Sequence, residues 1–481
     1  MFLRLAILFL PSLVGLLWRD SPGVSIVWSI AGSFFIAAVA QTEWFKQSGE
    51  YVPLTHRLLR PSFMYHFFFL GYHVVGAGFN SLDLAGYSIW GKVTGPSEYD
   101  LSLNADAQAL MLLAHASVTA GMKLASLRYQ PPKYVIASLP PYRLLVLSLI
   151  CLPLGTVLSF VPALYNFSDK VLQIASMAVL VEFTFAIAHG RAKNAGWALS
   201  LLCFNLFSQM VSGWKGLVLW TIITLGALLY PLMPRRVLFG GVGFVLFWAL
   251  YFHPFGLALR PLLWQEGVDR DEAVEYSMEQ AINMSLPERL DEVWTMMARR
   301  VNDLYQFRKY LEFVPNVRPY FGLDLVLQAH VALVPRFLWP EKPDMERLSM
   351  QVVYDAGVVA ESSVVSAKSN YYQDAYLSFG WIGVILASLL LGFAATFVSR
   401  LCEQLFGGYE VGTCLVFTGL FVPVFINGPL NFIFFVGALW SSVVVMFAAF
   451  CIAYGFGWIV PAKELQRAGV AQANLARHPI A

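Results

Sequence analysis

The stretch Ala332-Leu-Val-Pro-Arg-Phe-Leu-Trp-Pro-Glu-Lys-Pro343 lies within residues 254–375, the only long part of the chain without a membrane-like apolar run. Nine apolar segments precede these residues and three follow them. Because a membrane-spanning helix needs about 20 apolar residues, we interpret residues 254–375 as one large loop between spans, the long loop. Its prolines indicate an irregular backbone, and we expect the functional residues to lie in this loop.

The composition indicates a polytopic membrane protein. Of 481 residues, 58% are hydrophobic and only 13% are charged, and the mean hydropathy is +0.62. Soluble chains carry roughly 25% charged residues. The net charge of +2 implies no general affinity for polyanions, so nucleic acid is not an expected partner. The five cysteines lie in or beside apolar runs and lack the paired spacing of a disulfide framework or a metal site.

Twelve apolar segments fit membrane spans, near residues 2–18, 24–40, 63–79, 107–127, 144–164, 171–189, 195–212, 216–233, 237–253, 376–398, 411–427 and 431–456. The predicted fold class is therefore an all-α polytopic membrane protein of about 12 transmembrane helices. Its predicted parts are nine spans in residues 1–253, the long loop 254–375, three spans in residues 376–460 and a tail at 461–481.

Basic residues alternate from one short connecting loop to the next. Lys123, Lys133 and Arg143 stand close together, whereas the loop at 80–106 carries mainly acids. Since cytoplasmic loops are enriched in lysine and arginine, we predict that both termini are cytoplasmic and that the long loop faces outward. In a bacterium that side is the periplasm.

An amphipathic helix is expected inside the long loop. Ser285 and Glu288 have the spacing of a capping box, and apolar residues then follow helical spacing up to Pro315. The pattern predicts one helix of about seven turns. Arg308 falls on its apolar stripe and Arg300 at the edge of that stripe, so each either extends toward water or binds an anion.

Several basic residues are candidates for binding phosphate. Most of the bases in the long loop are arginines, whose planar guanidinium suits phosphate oxygens, although surface ion pairing explains many of them equally well. Arg336 stands between apolar residues and is framed by prolines, a setting in which a charge is costly unless it is paired or used. Lys342 is either part of a salt bridge or functional. Lys215 lies at a tight outer turn, either at the level of a phosphate headgroup or simply at a helix end.

Candidates for proton transfer are His330 and Asp374, each of which also has a structural explanation. Asp374 can instead stabilise the N-terminus of the following helix. Glu182 lies inside a predicted span and therefore needs a polar partner or a water-filled cavity. Histidines within predicted spans are expected to make hydrogen bonds between helices, at His66, His73 and His115.

The sequence lacks a Walker motif, a dinucleotide fingerprint, an HExxH motif and a nucleophile elbow. We therefore expect neither a metal nor a cofactor.

The chain resembles the oligosaccharide repeat-unit polymerases, the Wzy-type polymerases of O-antigen and exopolysaccharide. The stretch from Val334 to Pro343 is similar to the family's Pro-Arg-x-x-Trp-Pro-x-Lys-Pro. Tyr376-Leu-Ser-Phe-Gly-Trp-Ile-Gly383 is similar to its aromatic-x-x-Phe-Gly-x-x-Gly motif. Ser212-Gly-Trp-Lys-Gly216 matches a third motif more weakly, with Lys215 in place of the usual arginine.

This resemblance implies a GT-C-like enzyme of the bacterial inner membrane that performs inverting, metal-independent glycosyl transfer. Donor and acceptor would both be oligosaccharides linked to undecaprenyl diphosphate in the bilayer, with chain-length regulator and flippase proteins as further partners. His330 or Asp374 would take the proton. The positions that would stabilise or bind the diphosphate are Arg336, Lys215, Arg300, Arg308, Arg318 and Lys342.

Three alternatives remain open from the sequence. An O-antigen ligase shares the topology and the lipid donor but uses another acceptor. A flippase or transporter often has twelve spans, although it seldom needs so long a loop and usually shows internal repeats, which this chain lacks. A structural subunit of a polysaccharide export complex is the fourth reading.

Overall fold

A computed structural model describes most of the chain, and helices dominate the described residues. These residues are 2–42, 56–126, 131–137, 142–161, 164–211, 215–301, 303–334, 338–362, 367–426 and 430–467. The helices of the first half are α1 Phe2–Gly15, α2 Pro22–Ala40, α3 Pro61–Phe69, α4 Gly76–Leu84, α5 Glu98–Ala125, α6 Arg143–Ser159, α7 Tyr165–Ala188, α8 Ala192–Val211, α9 Lys215–Leu229, α10 Pro234–Phe247 and α11 His253–Pro261.

The second half begins with the helices of the long loop. The remaining helices are α12 Arg270–Asn283, α13 Leu286–Arg299, α14 Leu304–Phe313, α15 Asp324–Gln328, α16 Met345–Asp355, α17 Tyr371–Leu405, α18 Thr418–Leu420, α19 Val422–Phe425, α20 Phe432–Gly455 and α21 Ala462–Arg467. Wider π-helical turns occupy Leu70–Val75, Trp248–Phe252, Leu262–Glu266 and Tyr409–Phe417, and 3-10 turns occupy Leu16–Trp18 and Ala329–Leu333. Two short antiparallel hairpins pair β1 Tyr87–Ser88 with β2 Gly91–Lys92 and β3 Tyr134–Ile136 with β4 Ile459–Pro461.

The helical content agrees with the predicted fold class of an all-α membrane protein. Each of the twelve apolar segments overlaps a helix in the described chain. Five helices are long and apolar enough to cross a membrane: α2, α7, the continuous stretch Pro234–Pro261, α17 and α20. The number of crossings, twelve, stays a prediction.

The longest helix, α17, packs against α5 with the two backbones in direct contact. A Cβ atom added at Gly121 of α5 would lie 2.0 Å from the carbonyl oxygen of Leu389. A Cβ atom at Gly392 of α17 would lie 2.0 Å from the carbonyl oxygen of Val118. Glycine at both positions therefore sets the separation of these two helices, as small residues do where helices pack in membranes.

Two pairs of polar side chains inside the bundle join neighbouring helices. His66 Nδ1 lies 2.8 Å from His115 Nε2, a hydrogen bond between α3 and α5 that confirms the packing role expected for both side chains. Glu182 of α7 accepts a hydrogen bond of 3.0 Å from the amide of Asn194 in α8, which supplies the partner that its position requires. Their sequence patterns alone do not indicate these pairs.

Several basic connecting loops lie together at one end of the bundle. Arg60 Nε donates to Glu403 Oε1 at 2.8 Å. The backbone N–H of Ala462 donates to the carbonyl oxygen of Lys133 at 3.0 Å. At the other end, Arg299 of the long loop pairs with Asp83 at 3.1 Å. The contacts thus separate basic loops from the long loop as the charge pattern predicts, and the orientation in the membrane stays a prediction.

Between Ser285 and Pro315, the long loop forms two helices where the sequence pattern predicted one. The capping box is present, since the backbone N–H of Ser285 donates to Glu288 Oε2 at 2.8 Å. The prediction of a single helix of seven turns is wrong, because α13 ends at Arg299 and α14 starts at Leu304. Asp303 at the break turns inward, and its carboxylate accepts hydrogen bonds from Tyr72 Oη at 2.7 Å and Asn370 Nδ2 at 2.8 Å.

A non-helical step in α17 binds the long loop to the bundle. Phe379 has φ −142° and ψ 23°, and Gly380 has φ 61° and ψ −145°, a conformation that favours glycine. The step leaves carbonyl groups of the preceding turn without helical partners. The backbone N–H of Phe321 donates to Leu377 at 3.0 Å and that of Gly322 to Ser378 at 2.9 Å. This step is the Phe-Gly pair of the sequence motif, and the helix itself begins earlier than expected, at Tyr371.

Candidate functional site

Two cavities lie beside the turn that follows the 3-10 segment of the long loop. The first, of about 530 Å³, is bounded by the ends of α6, α7 and α20 on one side and by the long loop on the other; we call it the membrane-side cavity. Tyr165, Phe434 and Trp440 give it an aromatic wall, and Lys342 supplies a cation. It therefore combines an apolar surface from membrane helices with one basic and two acidic groups from the loop, those of Lys342, Asp344 and Glu346.

Lys342 closes the turn that carries the Pro-Arg motif. It is only 9% exposed, and its Nζ donates to the carbonyl oxygen of Val334 at 2.9 Å. This bond joins the two flanks of the turn. Arg336 itself, with Pro335 and Phe337, lies outside the described residues.

The second cavity, of about 690 Å³, lies within the long loop and is called the loop cavity. It brings together two predicted residues, Arg318 and His330. Arg318 Nη1 is 3.7 Å from Asp355 Oδ2, and its guanidinium lies 4.0 Å from the ring centroid of Phe321. His330 Nδ1 lies 2.5 Å from the carbonyl oxygen of Leu327. Planar polar groups thus line a cavity open to water.

Two further predicted phosphate-binding residues, Arg308 and Arg300, line neither cavity. Arg308 is 7% exposed, and its Nη1 is 3.6 Å from Asp100 Oδ1. Burial lowers the pKa of the Arg308 guanidinium, and Asp100 opposes that shift. Arg300 is exposed at the C-terminus of α13. Lys215 is the first residue of α9. The structure therefore places the buried Arg308 guanidinium in an ion pair with a partly exposed carboxylate at the start of α5.

Asp374 is a buried helix cap. It is 5% exposed and accepts hydrogen bonds from Ser369 Oγ at 2.5 Å and from the backbone N–H of Phe432 at 2.8 Å. Phe432 is the first residue of α20, so the Asp374 carboxylate stabilises the N-terminus of that helix. The predicted capping role therefore acts on a helix distant in sequence, and Asp374 does not line the cavity that contains His330.

Three residues with defined polar environments were not singled out from the sequence. Asp303 is half-buried, and desolvation raises the pKa of its carboxyl group, while the hydrogen bonds from Asn370 and Tyr72 oppose the shift. Arg289 donates to three backbone carbonyl groups. Asp344 caps α16 by accepting from the backbone N–H of Glu346 at 2.9 Å. Only Asp344 had a readable signal, an acid just before a helical pattern.

Comparison with known proteins assigns a family and no activity. Neither the curated proteins nor the solved structures gave a match to the chain. A family model described as "Domain of unknown function (DUF8712)" matches residues 10–459. Because the match extends over nearly the whole sequence, the chain belongs to the DUF8712 family.

Proposed function

We propose that the protein is a polysaccharide polymerase that joins oligosaccharide repeat units carried on undecaprenyl diphosphate. The supporting observation is the membrane-side cavity, where Phe434 and Trp440 of a membrane-length helix face the Lys342 side of the long loop. A lipid diphosphate combines an apolar tail, which suits the aromatic wall, with an anionic headgroup, for which Lys342 is the cation among the described lining residues. The proposal includes a GT-C-like arrangement of twelve spans in the bacterial inner membrane, with the long loop in the periplasm.

The proposed reaction is inverting and needs no metal. A hydroxyl group of the acceptor sugar attacks the anomeric carbon of the donor, and the diphosphate leaves with developing negative charge. Arg336 belongs to the same proline-framed stretch of sequence as Lys342, and we propose that it stabilises that charge. Fixed cationic donors in a site shielded from water stabilise such a transition state strongly.

Purified protein incubated with lipid-linked repeat units tests the proposal. A ladder of products supports a polymerase, a single transfer to a different acceptor indicates a ligase, and unchanged glycan indicates a flippase, a transporter or a structural subunit. In the same assay, Arg336→Ala should reduce the rate by about 100- to 1,000-fold. Arg336→Lys should recover only part of the activity, because an ammonium group cannot reproduce a bidentate guanidinium contact.

A matched control separates chemistry from folding. Arg299 of α13 is an exposed arginine of the same loop, with 65% of its side chain accessible, and Arg299→Ala should keep wild-type activity. Activity is compared per folded molecule, using the thermal unfolding midpoint of each variant. An Arg336→Ala protein that unfolds at the wild-type temperature and still builds long chains would remove Arg336 from the proposed site.

A further inference from the structure

The loop cavity and the membrane-side cavity meet at one side chain. Among the described residues that line them, Asp344 alone borders both. Pro343 before it lines the loop cavity, and Lys342 lines the membrane-side cavity. Asp344 therefore stands at the boundary between a space bordered by membrane helices and a space formed by the long loop.

The Asp344 carboxylate is held in place and keeps one oxygen available. Its Oδ1 accepts the backbone N–H of Glu346 at 2.9 Å, which fixes the side chain at the N-terminus of α16. Within the described part of the chain, Oδ2 makes no hydrogen bond or ion pair, and the residue is exposed. A fixed carboxylate with an oxygen facing a cavity has the geometry of a group that accepts a proton.

The chemistry of the loop cavity indicates the class of its ligand. Its volume of about 690 Å³ lies in the range of small-molecule sites, roughly 300–1,000 Å³. Hydrogen-bond donors and acceptors both line it, and no single charge dominates, which suits a ligand with many hydroxyl groups better than an anion or a lipid chain. These groups belong to Arg318, Arg347, Gln328, Gln351, Asp324 and Asp355.

We propose that the loop cavity holds the acceptor sugar and that Asp344 accepts the proton of its attacking hydroxyl group. This inference rests on the proposed function. The hydroxyl oxygen forms a bond to the anomeric carbon of the donor, whose bond to the diphosphate oxygen breaks. The electron pair of that bond leaves with the diphosphate in the membrane-side cavity, and the proton passes to the carboxylate. His330, which lines the loop cavity but not the membrane-side cavity, belongs to the acceptor side.

The variant Asp344→Asn tests the proton transfer without removing the helix cap, because asparagine is as good an N-cap residue as aspartate. In the purified assay we expect kcat to fall by about 100- to 10,000-fold, with KM for donor and acceptor nearly unchanged. The thermal midpoint should match that of the wild type. A residue that acted only as a cap would leave kcat unchanged in this variant.

Asp324→Asn is the matched control, because Asp324 lines the loop cavity alone. It should raise KM for the acceptor and largely preserve kcat. The inference is overturned if Asp344→Asn keeps the wild-type kcat, or if its activity falls only in proportion to a lowered thermal midpoint. Either result leaves the proposed function standing. Wild-type protein that transfers no sugar overturns both.

Discussion

Arg289 and Arg299 lie on the same helix, α13, and should differ greatly in their contribution to stability. Arg289 is 6% exposed and donates three hydrogen bonds, to the carbonyl oxygens of Leu250 at 2.7 Å and of Ile282 and Met284 at 2.9 Å. Its guanidinium also lies 4.2 Å from the ring centroid of Tyr251. These contacts hold α13 against the end of α12 and the turn between α10 and α11.

The expected effect of Arg289→Ala follows from these contacts. A hydrogen bond to a charged group contributes about 1.5–3 kcal/mol, and a cation–π contact about 0.5–2 kcal/mol. The contacts share one guanidinium and do not add fully, so we expect the free energy of unfolding to fall by about 3–5 kcal/mol. Arg299→Ala removes an exposed pair with Asp83 and should cost at most about 1 kcal/mol.

Thermal unfolding of detergent-purified variants, followed by tryptophan fluorescence, compares the two substitutions directly. Arg289→Ala should lower the midpoint clearly, and Arg299→Ala should leave it close to wild type. Arg289→Lys should be intermediate, since one ammonium group cannot reach all three carbonyl groups. Equal midpoints for Arg289→Ala and Arg299→Ala would refute the assignment of Arg289 as the group that holds α13 in place.

Further predictions concern packing, titration and topology. Gly392→Ala, whose Cβ atom would lie 2.0 Å from the carbonyl oxygen of Val118, should separate α17 from α5 and lower the yield of folded protein, whereas Gly240→Ala, with no atom within 4 Å of the added Cβ, should not, measured by size-exclusion chromatography in detergent. Because burial raises the pKa of Asp303 above its unfolded value of about 3.9, its contribution to stability is full below that pH and is lost as pH rises through the folded pKa. Relative to Asp303→Asn, the wild type should therefore gain thermal stability as pH falls from 7 toward 4, and a relative loss would contradict this. In a cysteine-free background, a cysteine at Asp271 should react with an impermeant reagent in intact cells and one at Lys133 should not; equal labelling would reject the predicted topology.

Apolar periodicity predicted the helices well because the relevant signal is local. Each apolar segment overlaps a helix, although some of them are divided into shorter helical pieces, and the capping box at Ser285 formed as its spacing indicates. The break between α13 and α14 was missed, because it depends on Asp303 bonding to Tyr72 and Asn370, which are far away in sequence. The helical spacing of apolar residues continues across Asp303, but its tertiary hydrogen bonds end the helix there.

The sequence indicated which types of residue to consider for the candidate site, but not how those residues are arranged. The Pro-Arg stretch contains Lys342, which borders the membrane-side cavity, and its role in a site stays a prediction. The role of Asp374 depended on the start of α20, to which its carboxylate bonds at Phe432, and no sequence pattern links these positions. Asp344 was overlooked because a helix cap looks ordinary until the cavities on either side of it are known.

The step at Phe379 and Gly380 joins the long loop to α17 through backbone atoms, and this has a consequence for divergence within a family. Hydrogen bonds from Phe321 and Gly322 to backbone carbonyl groups do not depend on the side chains at the bonded positions. Substitutions that retune the loop for a different ligand can therefore accumulate while the attachment persists, provided that Gly380 keeps its backbone conformation. The same property makes this step a natural boundary for exchanging loops between relatives, since a grafted loop needs only the right backbone path to bind the helix.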